Sequence, residues 1–199
     1  MDNQFISESY IKESLHRTEN LIKEISSSSI YISSVVKASE ALINTIKEGR
    51  LVLLAGNGGS AAQSQHFAAE LISRFNFDRN PLPAIALTTD SSVLTSISND
   101  YGYESVFERQ IKGLAKSGDV FIGFSTSGNS PNIIKAFYKA KELGLETIAI
   151  CGEMGIKSFK ANIEISIPAK ETPLIQEMHG VTSHILCDMV EKSIFKPNN

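Results

Sequence analysis

The chain predicts an α/β fold, a three-layer sandwich whose five-stranded parallel sheet lies between helices, with a helical segment in front. Three observations carry this. Five short apolar runs recur beyond residue 50: Leu51–Ala55, Ala84–Thr88, Val120–Phe124, Thr147–Cys151 and Ile163–Ile167. The first four are nearly continuous in apolar character, as strands covered on both faces must be. Helical stretches lie between most of them, and strand–helix alternation implies right-handed crossovers and a parallel sheet of the flavodoxin-like kind. A length of 199 residues suits one core of ordinary size.

Taken in order, residues 1–48 read as a helical segment for packing and oligomerisation, and 49–199 as the α/β domain. Ile11, Leu15, Thr18, Ile22, Ile25, Ser29, Ile32, Val36, Ser39, Ile43 and Ile46 follow helical spacing. The serine run Ser26–Ser29 splits this segment into two helices, because serine competes for backbone hydrogen bonds. The apolar stripe has two readings, core packing or packing against another subunit. Balanced acids and bases along it argue against a DNA-reading headpiece. Further helices are predicted over Ser60–Phe75, Tyr103–Ala115, Pro131–Leu143 and from about Pro173 to Ile194.

Composition narrows the function classes. Hydrophobic residues at 42% and charged residues at 21% describe ordinary globular material. A net charge of −3 argues against binding nucleic-acid backbone. No apolar run approaches the ~18 residues of a membrane helix. The start, MDNQFISESY, lacks the basic-then-apolar pattern of a secretion signal. Cys151 and Cys187 form no disulfide framework and suit a reducing compartment. The expectation is a cytoplasmic protein.

Ligands of open parallel sheets bind beyond the carboxyl ends of the strands. Two such ends stand out. One is Ser125-Thr126-Ser127-Gly128-Asn129-Ser130, followed by Pro131 at a helix start. Four hydroxyls converge there on free backbone N–H groups and the positive end of a helix dipole, which favours an anion. The loop holds no lysine or arginine, so a sugar phosphate fits better than a nucleoside triphosphate with magnesium. The rival reading is an ordinary turn capped by serine. The other end, Gly56-Asn57-Gly58-Gly59-Ser60, fits the loose dinucleotide pattern G-x-G-x-x-A through Ala61. That pattern wants an acid about 20 residues on. Position 81 is proline, so the glycines are read as allowing close approach of a substrate.

Of the four histidines, His66 lies four residues before Glu70, so imidazole and carboxylate share one helix face. Gln176 and His184 are eight apart on the last helix and project from neighbouring faces. Two imidazoles, a carboxylate and an amide suit zinc. Taken alone, His66 and Glu70 are more often a surface pair than a ligand pair, and a lone His184 beside Ile185 and Leu186 is usually a satisfied core histidine; only the fold brings the two helices together.

The segments GNGGSAAQSQHFAAEL, SNDYGYESVF, FSTSGNSPNIIKA and IQEMHGVTSH resemble the sugar isomerase (SIS) domain family, and within it the phosphoheptose isomerases. The likeness covers essentially the whole chain. It implies a homotetramer with active sites at subunit interfaces. It also implies conversion of sedoheptulose 7-phosphate to D-glycero-D-manno-heptose 7-phosphate, the first step of heptose supply for lipopolysaccharide and related surface glycans. It implies one zinc ion per subunit at His66, Glu70, Gln176 and His184. Substrate contacts would fall on Asn57, Gly58, Gly59, Glu70, Asn99, Asp100, Ser125, Thr126, Ser127, Ser130 and Gln176. Moving a carbonyl from C2 to C1 takes a proton from one carbon and returns it to its neighbour through an enediol. Glu70 is the candidate base. His184 suits proton transfer at the oxygens, since imidazole ordinarily titrates near ~6.5. A glutamate held tightly by zinc is a poor base, so ligation by Glu70 is expected to be weak or to shift during turnover.

A second likeness runs to the replication initiator-associating proteins, SIS scaffolds that bind the initiator, through AQSQHFAAELISRF, LPAIALTTD and ILCDMVEKSIF. Their pattern implies no acid at the position of Glu70, no histidine at that of His184 and an altered second serine in the STSGNS loop. This chain has Glu70, His184 and Ser127, which favours the enzyme. It departs from many isomerases at Pro173 and Leu174, just before the IQE segment.

Overall fold

A computed structural model describes residues 6–195. Five parallel strands, β1 (Val52–Ala55), β2 (Ala84–Ala86), β3 (Val120–Ser125), β4 (Glu146–Gly152) and β5 (Ile163–Ile167), form one sheet in the order β2-β1-β3-β4-β5. The helices are α1 (Glu8–Ser27), α2 (Ser29–Lys47), α3 (Gly59–Ile72), α4 (Ser91–Tyr101), α5 (Val106–Leu114), α6 (Pro131–Glu142) and α7 (Thr172–Ile194).

Period-two alternation divides the strand side chains between two cores. Val52, Leu54, Val120, Ile122, Phe124, Ile148 and Ile150 face α2, α3 and α7, where Leu42, Phe67, Met178 and Leu186 meet them. Leu53, Phe121, Ala149 and Cys151 face α5 and α6, against Phe107, Ile111, Ile133 and Phe137. Each large apolar side chain buried here stabilises the fold by roughly 1.5–3 kcal/mol.

The predicted strands and helices stand, with shifted ends. The run Ala84–Thr88 is a strand only to Ala86, where Leu87 N–H donates its last ladder bond to Leu54. The helix predicted over Ser60–Phe75 stops at Ile72, and that over Tyr103–Ala115 opens with a 3₁₀ turn, Tyr103–Ser105. Helix α4 was not predicted. Its sequence, SSVLTSISNDY, is polar; Thr95 and Ser98 turn their hydroxyls back onto the carbonyls of Ser91 and Leu94. Its signal was Asp90, whose carboxylate caps Val93 N–H at 2.9 Å.

The apolar stripe of the N-terminal helices packs on this chain's core only in part: Ile25, Ser39 and Ile46 are buried and Ile43 packs against them half-buried. Ser28 interrupts the helix in extended conformation and caps Tyr31 N–H with its own hydroxyl, which resets the helical phase. The residues buried are Leu21 and Ile25 in α1 and Tyr31, Val35, Ala38, Ser39, Leu42, Thr45 and Ile46 in α2. Ile11, Leu15, Ile22, Ile32 and Val36 from the stripe are 40–66% exposed.

Candidate functional site

The strand order reverses between β1 and β3. From β1 the chain passes through α3 to β2 on one side; from β3 it passes through α6 to β4 on the other. The carboxyl ends of β1 and β3 therefore flank the crevice where such sheets take ligands. The two loops singled out from the sequence are its walls. A reciprocal amide pair joins them: Asn57 Nδ2 donates to Asn132 Oδ1 at 2.9 Å, and Asn132 Nδ2 donates to Asn57 Oδ1 at 2.8 Å. The Tyr103 hydroxyl also donates to Asn57 Oδ1, at 3.0 Å, and ties in the end of the α4 segment. Asn132 and Tyr103 were not among the predicted site residues.

The serine turn is more than a cap. Ser125 Oγ accepts from Gly128 N–H at 3.1 Å and Ser127 Oγ from Asn129 N–H at 3.2 Å, which shapes the turn and leaves both hydroxyl protons to donate. Ser130 occupies the N-cap of α6 but makes no side-chain cap; its hydroxyl lies 3.5 Å from that of Ser125. Pro131 opens the helix where its missing N–H costs nothing. Thr126 and Ser127 also line a cleft of about 390 Å³ with Lys170 and Glu153; Lys170, from the segment after β5, is paired to Glu153 at 3.7 Å.

On the first loop, Gly58 has φ +56° and open space where a side chain would stand. At Gly59 a Cβ would lie 2.7 Å from Gln176 Nε2, so the missing side chain there makes room for the Gln176 amide. Asp90, beyond the end of β2, is committed to its cap. Asn99 and Asp100 sit exposed at the end of α4, with the Asn99 amide donating to Asp100 at 2.9 Å.

The ionisable groups gather elsewhere, between α3 and α7. His66 Nε2 and His184 Nε2 are 2.8 Å apart, and His66 Nε2 is 3.4 Å from Glu70 Oε1. The ligand atoms of His66, Glu70 and His184 all lie within 4.8 Å of one another. Both histidines are exposed and Glu70 is half-buried. The Phe75 ring backs His184 at 5.6 Å between centroids. Two imidazole nitrogens around a tetrahedral zinc stand about 3.3 Å apart given Zn–N bonds of about 2.0–2.1 Å, so a small parting of the rings would admit the ion. The donor set fits a metal. Gln176 is not in this trio: its amide is at Gly59, two turns and about 12 Å along α7 from His184. The cluster is likewise set back from the crevice, with His66 about 10 Å and Glu70 about 16 Å along α3 from Gly59.

The remaining histidines are accounted for. His16 pairs with Glu19 on the surface at 3.0 Å. His179, on α7 between Gln176 and His184, is fully buried beside Phe124; burial pushes its pKa down to about 4, against a smaller upward pull from the Cys151 backbone. Burial also raises the Cys151 thiol to about 12, so that sulfur stays protonated.

Comparison with known proteins bears directly on this geometry. A family model described as the SIS domain matches residues 9–152. The phosphoheptose isomerase of Sulfurimonas denitrificans is 46% identical over 187 residues, covering 94% of this chain and 96% of the relative. That of Clostridium acetobutylicum is 49% identical over 189 residues, covering 94% of each. The structure of phosphoheptose isomerase from Neisseria gonorrhoeae superposes with a TM-score of 0.85 at 36% identity, over 92% of this chain and 98% of that one. The initiator-binding alternative gains no support from these relatives. With whole-length likeness in both sequence and structure, and with the crevice and cluster already in place, the chain belongs to the SIS-domain family and, within it, to the phosphoheptose isomerases.

Proposed function

We propose that this protein interconverts sedoheptulose 7-phosphate and D-glycero-D-manno-heptose 7-phosphate through an enediol. The observation that carries the reading is the meeting of Glu70 and His184, with His66, in one cluster drawn from two helices distant in sequence. Glu70 takes the proton from C1 of the ketose and returns it to C2. His184 gives and takes the protons of the two oxygens as the carbonyl moves. Each such group contributes roughly 10²–10⁴ in rate. The phosphate is held by the hydroxyls of Ser125, Thr126, Ser127 and Ser130 and the N-terminus of α6, with Asn57, Gly58, Gly59, Asn99, Asp100 and Gln176 along the sugar.

His66, Glu70 and His184 would hold one zinc ion per subunit, with Gln176, which lies at Gly59 in its own chain, as fourth ligand reaching in from a neighbouring subunit. Bound there, zinc would polarise the carbonyl and stabilise negative charge on its oxygen. The distance between cluster and crevice supports a homotetramer in which sites lie between subunits. So does the apolar face of Ile11, Leu15, Ile22, Ile32 and Val36, which this chain leaves in solvent. No helix among the described residues is long and apolar enough to cross a membrane. That accords with the cytoplasmic setting we assign.

The test is to incubate the purified protein with sedoheptulose 7-phosphate, with and without added zinc, and follow the aldose by NMR. We expect conversion that a chelator suppresses and zinc restores. No aldose under any metal condition would overturn the reading.

A further inference from the structure

The loop after α3 and the last turns of α7 meet in a pair the catalytic reading does not use. Arg79 and Glu191 are 2% and 1% exposed and their side chains meet at 3.0 Å, Nε to Oε1. Arg79 closes the end of α3: Nη2 donates to the Glu70 carbonyl at 2.8 Å and Nη1 to the Leu71 carbonyl at 2.6 Å. Glu191, on α7 two turns beyond His184, accepts from Phe75 N–H at 2.8 Å and from Asn76 N–H at 2.6 Å. Burial works to raise the Glu191 pKa, but these two N–H groups and Arg79 hold it below the usual carboxylate range, so the pair stays charged. Asn76 Nδ2 adds a bond to Asp188, and between these anchors the Phe75 ring is laid against His184.

We propose that the Arg79–Glu191 pair is a positioning device that sets the separation of Glu70 from His184. Taking two charges out of water is costly, and apolar side chains of similar volume would join the helices at least as firmly. Apolar side chains would not fix the Glu70 carbonyl relative to α7. The planar guanidinium does so, because its fork binds the Glu70, Leu71 and Asn80 carbonyls and the Glu191 carboxylate at once. An error of about 1 Å between reacting groups can cost ~10²-fold in rate. The inference rests on the isomerase reading for its kinetic consequence, but its metal-binding consequence stands alone.

Arg79→Lys keeps the charge opposite Glu191 and loses the fork; Glu191→Gln keeps the shape and loses the charge. Fold is checked by circular dichroism, and assembly by sedimentation. Zinc affinity is measured by calorimetry with zinc alone, and kcat and KM are measured separately on sedoheptulose 7-phosphate. In a folded variant we expect zinc affinity to fall ~10-fold or more, as for residues that orient ligands from behind. We expect kcat to fall by at least ~10-fold with KM within about twofold. If wild type turns over no substrate, the isomerase reading fails while the zinc measurement still decides the clamp. Wild-type zinc affinity and kcat in a folded variant would overturn the proposal. So would loss of fold in both variants, which would assign the pair to stability alone.

Discussion

At the crevice between β1 and β3 the polar groups are neutral and already engaged with one another: Asn57 with Asn132 and Tyr103, Ser125 with Gly128, Ser127 with Asn129. At the α3–α7 cluster they are ionisable, exposed or half-buried, and held from behind by the Arg79–Glu191 clamp. On the proposed reading the crevice receives an anion without adding charge. The cluster keeps its lone pairs and protons available for exchange. On the function proposed above, recognition and chemistry thus occupy different structural layers, one at the sheet edge and one between helices.

This division predicts that substitutions in the two places fail differently. The largest effect belongs to the cluster: Glu70→Gln should lose at least ~100-fold in kcat while binding of inorganic phosphate, read by calorimetry, stays within about twofold. Equal losses in both would erase the distinction. A smaller effect belongs to the crevice. Asn132→Ala removes both amide hydrogen bonds to Asn57, each worth about 1 kcal/mol, and should raise KM about 10-fold with kcat changed less. A fall in kcat alone would place Asn132 in the chemistry instead.

The smallest prediction compares two histidines of α7. His184 is exposed in the cluster; His179 is buried beneath the crevice with a pKa near 4. Between pH 6.5 and 4 the unfolded chain protonates His179 and the folded chain does not, so stability falls as pH falls across that window. The loss should total about 3 kcal/mol in urea unfolding. His179→Gln should flatten that dependence; an unchanged slope would assign the acid sensitivity to other groups.

Much of this was legible in the sequence where a residue's role follows from its neighbours. The strands announced themselves because burial on both faces makes them apolar throughout. His66 and Glu70 were readable as a pair because helical spacing alone puts them on one face. The serine turn was readable because its hydroxyls exceed what a cap requires. What depended on other elements was not. Ser28 reset the phase of the N-terminal helices, so the stripe read across the break marked the packed face only in part. Helix α4 hid behind serines that satisfy their hydroxyls locally. Asn132, Tyr103, Lys170 and the Arg79–Glu191 pair are ordinary residue types in ordinary places, and only the closing of loops and helices on one another gives them partners. The meeting of α3 with α7 is the same kind of fact.

The most direct test of proton transfer at the cluster is to run the reaction in D₂O and read the product by NMR. The account predicts deuterium at C2 of the aldose made by wild type, and none above background with Glu70→Gln. Labelling of C2 by Glu70→Gln at the wild-type rate would contradict it.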